Sequence, residues 1–288
     1  MNKTLTILAG HPRGGEQTWN SLYKNVLTPL ESDLAICTGS KWLNGQSFLD
    51  KAQYQWIIEE PENWFDYYEK NFNGSWREYF KQGLDTGLYN SGSIHFAIKD
   101  IILKNHINDI KNYTQIIYTR FDQFYTCEHP KLDNKRIWIP EGEDYFGICD
   151  RHAVVPVDDI EKYLDICSFI DSKSAINRNI EYLNCEVAYK EQLISSGLIE
   201  KVSRFDRLQF TSAKKGDTTN WRIPKYRIIF YSGLQLKYPQ EFIDSMNNYL
   251  KSYGLTKAIF KYKLLFINYI YLQSRRKLGN FKNKILRT

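Results

Sequence analysis

The chain has 288 residues, of which 42% are hydrophobic and 25% are charged. This length and composition fit one large globular domain or two small ones, and they exclude a disordered chain, a collagen-like repeat and a small disulfide scaffold. The net charge of +6 is uneven, because residues 257–288 hold nine basic and no acidic residues. The other 256 residues hold 30 basic and 33 acidic residues and so carry −3. A mildly acidic body with a basic tail argues against a general nucleic-acid binder and for a local interaction surface.

Targeting and redox features favour a cytoplasmic protein. No apolar stretch approaches the roughly 18 residues that a spanning helix needs. The N-terminal residues predict a strand rather than a signal peptide. Five widely spaced cysteines without a CxxC pair indicate reduced thiols rather than a zinc site or a disulfide framework.

The first elements are typical of a parallel α/β sheet. Residues 4–9 predict a strand, a glycine-rich loop follows at 10–15, and apolar residues from 19 to 30 recur on one helix face. Residues 33–37 predict the next strand. Strand, glycine turn, helix and strand in this order favour parallel pairing.

The middle of the chain alternates helical and extended patterns. Residues 47–110 predict mostly helices and are rich in aromatic side chains, which we expect to pack between helices, although a few could line a sugar or base pocket. Residues 115–121 predict the central strand. Shorter strands are predicted at 137–140 and 153–157, with the polar loop 141–152 between them.

The remaining elements complete a two-part organisation. Helices are predicted from Asp158 or Asp159 to about 170, at 177–195 and from Pro239 onward, and late strands at 202–210 and 226–231. We therefore predict an α/β catalytic domain over residues 1–235, with a mostly parallel sheet flanked by helices. A basic helical segment is predicted over residues 236–288.

The loop Gly10-His11-Pro12-Arg13-Gly14-Gly15 follows the first predicted strand. An arginine among glycines before a helix suits a phosphate or diphosphate. The loop lacks the spacing of a P-loop and of the GxGxxG fingerprint, which disfavours an NAD enzyme. The alternative is a tight turn with a surface arginine.

Two further groups of charged residues follow predicted strands. Arg120 and Asp122 end the central strand, where they could hold a diphosphate and a divalent cation or form a structural ion pair. The loop before residue 153 contains a denser cluster, made up of Glu143, Asp144, Asp150, Arg151 and His152. These types suit base catalysis, phosphate binding or metal ligation. Glu186, in Asn184-Cys185-Glu186, could equally be a catalytic base or a capping residue.

In combination, these motifs resemble bacterial glycosyltransferases of the GT-A type that build capsule or lipopolysaccharide chains, including the family associated with lipopolysaccharide core synthesis. The segment Pro140-Glu-Gly142-Glu-Asp144-Tyr-Phe146-Gly147-Ile-Cys-Asp150-Arg151-His152 is similar to that group's Pro-x-Gly-x-Asp-Tyr-Gly-Gly-x-Asp-Arg-His pattern. The turn from Gly10 to Arg13, the Arg120-x-Asp122 pair and Asn184-x-Glu186 match further motifs, and the resemblance covers roughly residues 4–200. Two departures stand out: Arg120 replaces the first acid of an Asp-x-Asp metal motif, and Phe146 replaces a glycine.

The resemblance implies transfer of a sugar from a nucleotide-diphosphate sugar to an acceptor hydroxyl, as a hexosyltransferase. It implies Asp150 as the base, with Glu186 second and Glu143 third. The implied nucleotide-sugar-binding residues are Gly10, His11, Arg13, Arg120, Asp122, Asp144, Gly147 and Arg151. A divalent cation, Mn²⁺ or Mg²⁺, is a possible cofactor, with Asp122 and His152 as its ligands.

The basic tail suggests a location for this chemistry. In helical projection, Lys257, Lys261, Asn268, Arg275 and Lys282 form one stripe, and the rest of residues 257–282 is largely apolar. This pattern suits a helix at an anionic membrane surface, at the inner face of the cell membrane, near a lipid-linked glycan acceptor. The alternative is a helix docked on its own domain.

Two other classes of function stay open. The strand-loop-helix at Gly10–Trp19 is similar to the phosphosulfate-gripping segment of sulfotransferases, although Gly14 and Glu16 replace that family's hydroxyl residues. A non-catalytic sugar-binding protein is the third class.

Overall fold

The computed structural model describes residues 3–43, 45–86, 88–177, 182–214, 227–229 and 233–285, without the side chains of 42, 227–229 and 277–285. The chain forms two compact units. The first comprises Met1–Pro12, Leu30–Phe121 and Pro130–Phe205, and the second comprises Arg13–Pro29, Asp122–His129 and Asp206–Thr288. The boundary predicted at residue 235 stays a prediction.

The helices and strands alternate along most of the chain. The strands are β1 Thr4–Ala9, β2 Asp33–Gly39, β3 Tyr54–Ile58, β4 Gln115–Arg120, β5 Gln123–Tyr125, β6 Ile137–Pro140, β7 His152–Pro156, β8 Val202–Phe205, β9 Gln209–Lys214, β10 Arg227–Ile229 and β11 Leu234–Leu236. The α-helices are α1 Glu16–Leu22, α2 Thr28–Leu30, α3 Ser47–Lys51, α4 Trp64–Asn71, α5 Trp76–Lys81, α6 Ser93–Ile110, α7 Ile160–Leu164, α8 Ile166–Ile170, α9 Lys173–Ile176, α10 Cys185–Ser195 and α11 Pro239–Ile285. Short 3₁₀ or π turns lie at Tyr23–Leu27, Ser40–Trp42, Leu84–Thr86, Leu88–Gly92, Val157–Asp159 and Ile199–Lys201.

Within the described residues, the first unit is built on a seven-stranded sheet in the order β3-β2-β1-β4-β7-β6-β8. β1 pairs in parallel with both β2 and β4, β2 with β3, and β6 with β8. β7 runs antiparallel to β4 and β6. The predicted α/β class, with a mostly parallel sheet flanked by helices and a C-terminal helix, is confirmed.

The central strands have the apolar sequences that two covered faces require. All six residues of β1 are buried, as are most of those in β2 and β4. The prediction that residues 47–110 are mostly helical is confirmed by α3, α4, α5 and α6, but it did not include β3. Tyr54, Trp56 and Ile58 alternate with the exposed Gln55 and Ile57, which is the two-residue period of an edge strand and not a helical period.

The strand order creates a switch point between β1 and β4. The chain proceeds from β1 outward to β2 and β3, and then returns to the other side of β1 as β4. In open α/β sheets, ligands bind outside the carboxyl ends of strands at such a point. The carboxyl ends here are marked by Gly10 after β1 and by Arg120 at the end of β4.

Helix α6 lies between two hydrophobic clusters of the first unit. Ile98 and Ile102 belong to the cluster that contains the sheet residues. Phe96 and Ala97 belong to a second cluster that contains most of the buried aromatic side chains of α4 and α5. Tyr68 and Phe80 are fully buried there, as the expectation of packing between helices requires. A helix covered on two sides has little solvent-facing surface, so its polar residues need partners inside the protein.

Among the described residues, the second unit has its own sheet of four strands. Its sheet has the order β10-β11-β9-β5 and is antiparallel throughout. Phe124 and Phe210 form its core with Phe242 and other residues of α11. The buried Arg207 donates a hydrogen bond to Glu241 at 3.1 Å. α11 contains non-helical backbone at Gly254 and Tyr262.

Two late predictions need adjustment. The strand predicted at 202–210 is divided between β8 in the first unit and β9 in the second. The helix predicted at 177–195 is described from Cys185, and residues 178–181 lie outside the described chain, as do residues 226, 230 and 231 of the last predicted strand.

Candidate active site

The switch point brings the end of β1 against helix α6. Gly10 has a φ of 101°, and its N–H donates to the backbone oxygen of Cys37 in β2 at 3.0 Å. A Cβ at Gly10 would lie 3.8 Å from the His95 ring. The chain can make this turn because glycine tolerates positive φ. His95 of α6 therefore lies beside the end of β1, with the half-buried His11 following Gly10.

A narrow cleft of the first unit opens beside the end of β4. Its walls come from α6, β4, α10 and the loop that precedes β7, and its lining residues are His95, Phe96, Lys99, Tyr118, Arg120, Asp150 and Tyr189. Two predicted site residues, Arg120 and Asp150, meet here. The other polar members are residues that the sequence motifs did not indicate.

Asp150 is the carboxylate in this cleft, and its side chain is 12% exposed. Burial alone would raise its pKa, but the charges of Arg151, Arg120, His95 and Lys99 outweigh that effect and lower the pKa of Asp150 below its usual value. The nearest Arg151 nitrogen, Nη1, lies 3.8 Å from Asp150 Oδ1. Asp150 is therefore an anion at neutral pH.

Lys99 is buried among tyrosine rings. Its Nζ lies 4.3 Å from the centroid of the Tyr163 ring, 4.5 Å from that of Tyr189 and 5.1 Å from that of Tyr118. Burial lowers the pKa of Lys99 to about 8, although the charge of Asp150 acts in the opposite direction. The electron-rich faces of these rings stabilise the positive charge of the protonated Lys99.

Behind Asp150, a buried ion pair joins the loop to α10. Arg151, only 2% exposed, donates from Nη1 to Glu186 Oε1 at 2.6 Å and from Nη2 to the backbone oxygen of Glu143 at 2.9 Å. Burial and the charge of Asp150 raise the pKa of Glu186 to about 7, against the effect of Arg151. Two neighbouring carboxylates thus have widely separated pKa values, an arrangement that acid–base sites use.

Close packing fixes the loop on the N-terminus of α10. A Cβ at Gly147 would lie 2.0 Å from the backbone carbon of Glu186, so only glycine fits there. The N–H of Ile148 donates to the backbone oxygen of Glu186 at 3.1 Å. Asn184 caps α10 by accepting from the N–H of Val187 at 2.8 Å. The predicted residue Gly147 thus permits the contact that aligns Arg151 with Glu186.

Asp144 also anchors this loop. It accepts hydrogen bonds from Arg204 Nη2 at 2.8 and 2.9 Å, and from the N–H of Cys149 at 2.9 Å. Glu143 has a positive φ of 54°, and its carboxylate accepts from the Tyr145 hydroxyl. Asp144, like Gly147, was predicted to bind the nucleotide sugar, and in the structure its contacts hold the loop that carries Asp150.

Three other predicted site residues are not among the residues that line the cleft. Arg13 and Asp122 belong to the second unit, where the backbone oxygen of the buried Asp122 accepts from the N–H of Ser212 at 2.8 Å. His152 is fully buried on β7, and its ring centroid lies 5.8 Å from that of Phe205. Among the described residues, no three His, Cys, Asp or Glu side chains form a group that could hold a metal ion. The predicted metal site stays a prediction.

The residues that sequence reasoning missed are His95 and Lys99. They are four positions apart on α6, which places them on one face of the helix. Directly after a glycine-rich stretch, residues 94–103 of α6 are apolar except for His95, Lys99 and Asp100. That irregularity in the apolar pattern was the available signal.

Comparison with known proteins adds little to this geometry. No family model matches the sequence. No curated protein matches it either. Among solved structures, the fold is similar to one titled "PaToxG Glycosyltransferase", with a TM-score of 0.36 and 15% identity over 68% of each chain.

Proposed function

We propose that the protein is a glycosyltransferase that transfers a sugar from a nucleotide-diphosphate sugar to a hydroxyl group of a glycan. The observation that carries the proposal is the cleft at the switch point, where the anionic Asp150 is surrounded by Arg120, His95 and Lys99. A diphosphate leaving group is stabilised by cations, and in an inverting reaction the acceptor hydroxyl gives its proton to a base such as a carboxylate. Both kinds of group face one cleft.

In an inverting reaction, the acceptor oxygen attacks the anomeric carbon and the bond from that carbon to the diphosphate oxygen breaks. The acceptor proton passes to a carboxylate, and the negative charge that develops on the diphosphate is stabilised by cations. Asp150 is the first choice as base because it lines the cleft. Glu186, whose pKa of about 7 suits a base near neutral pH, is second, and Glu143 is third.

We further propose that the protein works at the inner face of a bacterial membrane, on a lipid-linked acceptor for capsule or lipopolysaccharide. α11 supports this location, because it exposes large apolar side chains, among them Phe260 at 89%, Ile267 and Tyr271. Its basic residues Lys257, Lys261, Lys263, Arg275 and Arg276 are also exposed. Within the described chain, no helix has an apolar stretch long enough to cross a bilayer.

The exposed apolar surface of α11 that we propose for membrane contact is narrower than the helical projection of residues 257–282 predicts. Leu265 is buried, and Tyr262, Phe266 and Tyr269 pack on the core of the second unit, so part of the apolar circumference is covered. Lys277, Lys282, Lys284 and Arg287 lie outside the residues with described side chains. Substitutions on the exposed surface are therefore a better test than deletion of the tail, which would remove core residues.

A thermal-shift screen tests the class of donor. The full chain is heated with UDP-, GDP- and CMP-sugars and, separately, with adenosine 3′-phosphate 5′-phosphosulfate, each with and without Mn²⁺. Because a ligand that binds only the folded state raises the melting temperature, a UDP- or GDP-sugar should stabilise the protein, and the CMP-sugar, which carries a single phosphate, serves as the comparison. Stabilisation by the sulfate donor alone would overturn the proposal in favour of a sulfotransferase.

A further inference from the structure

The cleft has an excess of positive side chains. Among its described lining residues, Arg120 and Lys99 are basic and Asp150 is the carboxylate, which gives a net charge of +1 before any proton on His95 is counted. Arg151 and Glu186, directly behind Asp150, are paired with each other at 2.6 Å and add no net negative charge. The lining therefore attracts an anion rather than a cation.

These residues do not fit a divalent cation. Mn²⁺ and Mg²⁺ prefer oxygen ligands with negative charge, such as grouped carboxylates. A metal ion in this cleft would meet one carboxylate and several positive groups, and Coulomb repulsion between like charges is strong in a poorly hydrated site.

We infer that the cleft binds the diphosphate of its donor directly through Arg120, His95 and Lys99, without a divalent cation. This inference rests on the proposed function. A guanidinium group can donate two parallel hydrogen bonds to phosphate oxygens, and an imidazole N–H can donate another. Lys99 acts from a deeper position, where its charge is held in place by the rings of Tyr163, Tyr189 and Tyr118.

Calorimetric titration tests the inference. The full chain is dialysed against EDTA and titrated with UDP and with GDP, first without metal and then with Mn²⁺. We expect one of the two nucleotides to bind in EDTA, with a Kd that Mn²⁺ changes by less than about threefold. Binding that requires Mn²⁺ would overturn the inference and leave the proposed function intact. Absence of binding under both conditions would overturn the proposed function itself.

Variants that remove a positive charge test whether Arg120 and Lys99 contact the diphosphate. Arg120→Met and Lys99→Met should each weaken binding of the nucleoside diphosphate by about tenfold or more, because each removes a charged partner of the phosphates. Arg136→Met is the matched control, since Arg136 is exposed and bonds the Ser203 hydroxyl. Unchanged binding in both cleft variants, with folding verified by circular dichroism, would contradict the inference.

Discussion

The two units use positive charge in different ways. In the cleft of the first unit, cationic side chains lie around Asp150, and Arg151 forms a buried pair with Glu186. On α11 of the second unit, residues 257–276 expose their basic groups beside exposed apolar side chains, with no acid among them. The energy of a buried charge depends on its specific partners. Exposed charges each contribute little, and their effect on binding is the sum of these small contributions. Single substitutions should therefore have large effects in the cleft and small, additive effects on α11.

The largest expected effect follows from Asp150→Asn. The amide cannot accept the acceptor proton, so kcat/KM for sugar transfer should fall by about a thousandfold, while binding of the donor persists. Glu161→Gln is the control, because Glu161 pairs with Lys111 on the surface, where both side chains are more than half exposed. Steady-state kinetics in which the Asn variant keeps near-normal turnover would remove Asp150 from the mechanism.

Arg151→Met tests the buried pair. Without Arg151, Glu186 is left in a buried position without its charged partner, which should lower the free energy of unfolding by about 3 kcal/mol. The double variant with Glu186→Met should recover part of this loss, since it leaves no uncompensated carboxylate. Urea denaturation above pH 7, where Glu186 of the wild type is an anion, measures the free energy of unfolding of both variants. Equal stability of the wild type and the single variant would show that the pair does not hold the loop.

The raised pKa of Glu186 predicts a pH dependence. The folded protein keeps this proton up to about pH 7, above the ordinary value of 4.5, so the stability it contributes at acid pH is lost as the pH rises through that window. Between about pH 5 and about pH 8, the wild type should lose about 2 kcal/mol of stability relative to Glu186→Gln. Urea titrations of the wild type and of Glu186→Gln at each pH measure this difference in stability. Identical pH profiles of the two proteins would contradict the raised pKa of Glu186.

On α11, Lys263→Gln should have a smaller effect. Each basic residue near an anionic membrane contributes about 1 kcal/mol, so binding to anionic vesicles should weaken about fivefold. Lys251→Gln, an exposed position of the same helix that pairs with Asp206 at 3.4 Å, is the control. Vesicle co-sedimentation that is identical for the two variants would argue against a membrane role for the basic residues.

The smallest effect is expected at Phe146. Its φ of 70° is costly for a residue with a side chain, and its ring is 84% exposed. Phe146→Gly removes that strain but adds freedom to the unfolded chain, so the net gain in stability should be about 0.5 kcal/mol. A loss of stability in urea would show that the contact between the Phe146 and Tyr182 rings outweighs the strain.

The sequence supported the fold class better than the details of the site. The apolar runs of β1 and β4 predict buried parallel strands because covering both faces of a sheet requires apolar residues throughout. Arg120 was found because charged residues after such strands mark ligand sites, and Asp150 was found because acidic and basic residues are dense in the loop before β7. Lys99 was not found, since its partners are tyrosines far away in sequence, on β4, α7 and α10. The contacts that align Arg151 with Glu186 depend on tertiary packing at Gly147, which spacing alone does not reveal.

Hydrogen exchange of the full chain, with and without the nucleotide sugar that stabilises it most, tests the central claim most directly. Because bound ligand suppresses local opening, amide exchange should slow at residues 93–100, which carry His95 and Lys99, and at residues 142–151, which carry Asp150. Exchange at residues 257–276 of α11 should not change. Protection confined to other residues, with these two segments unaffected, would contradict the assignment of the cleft as the donor site.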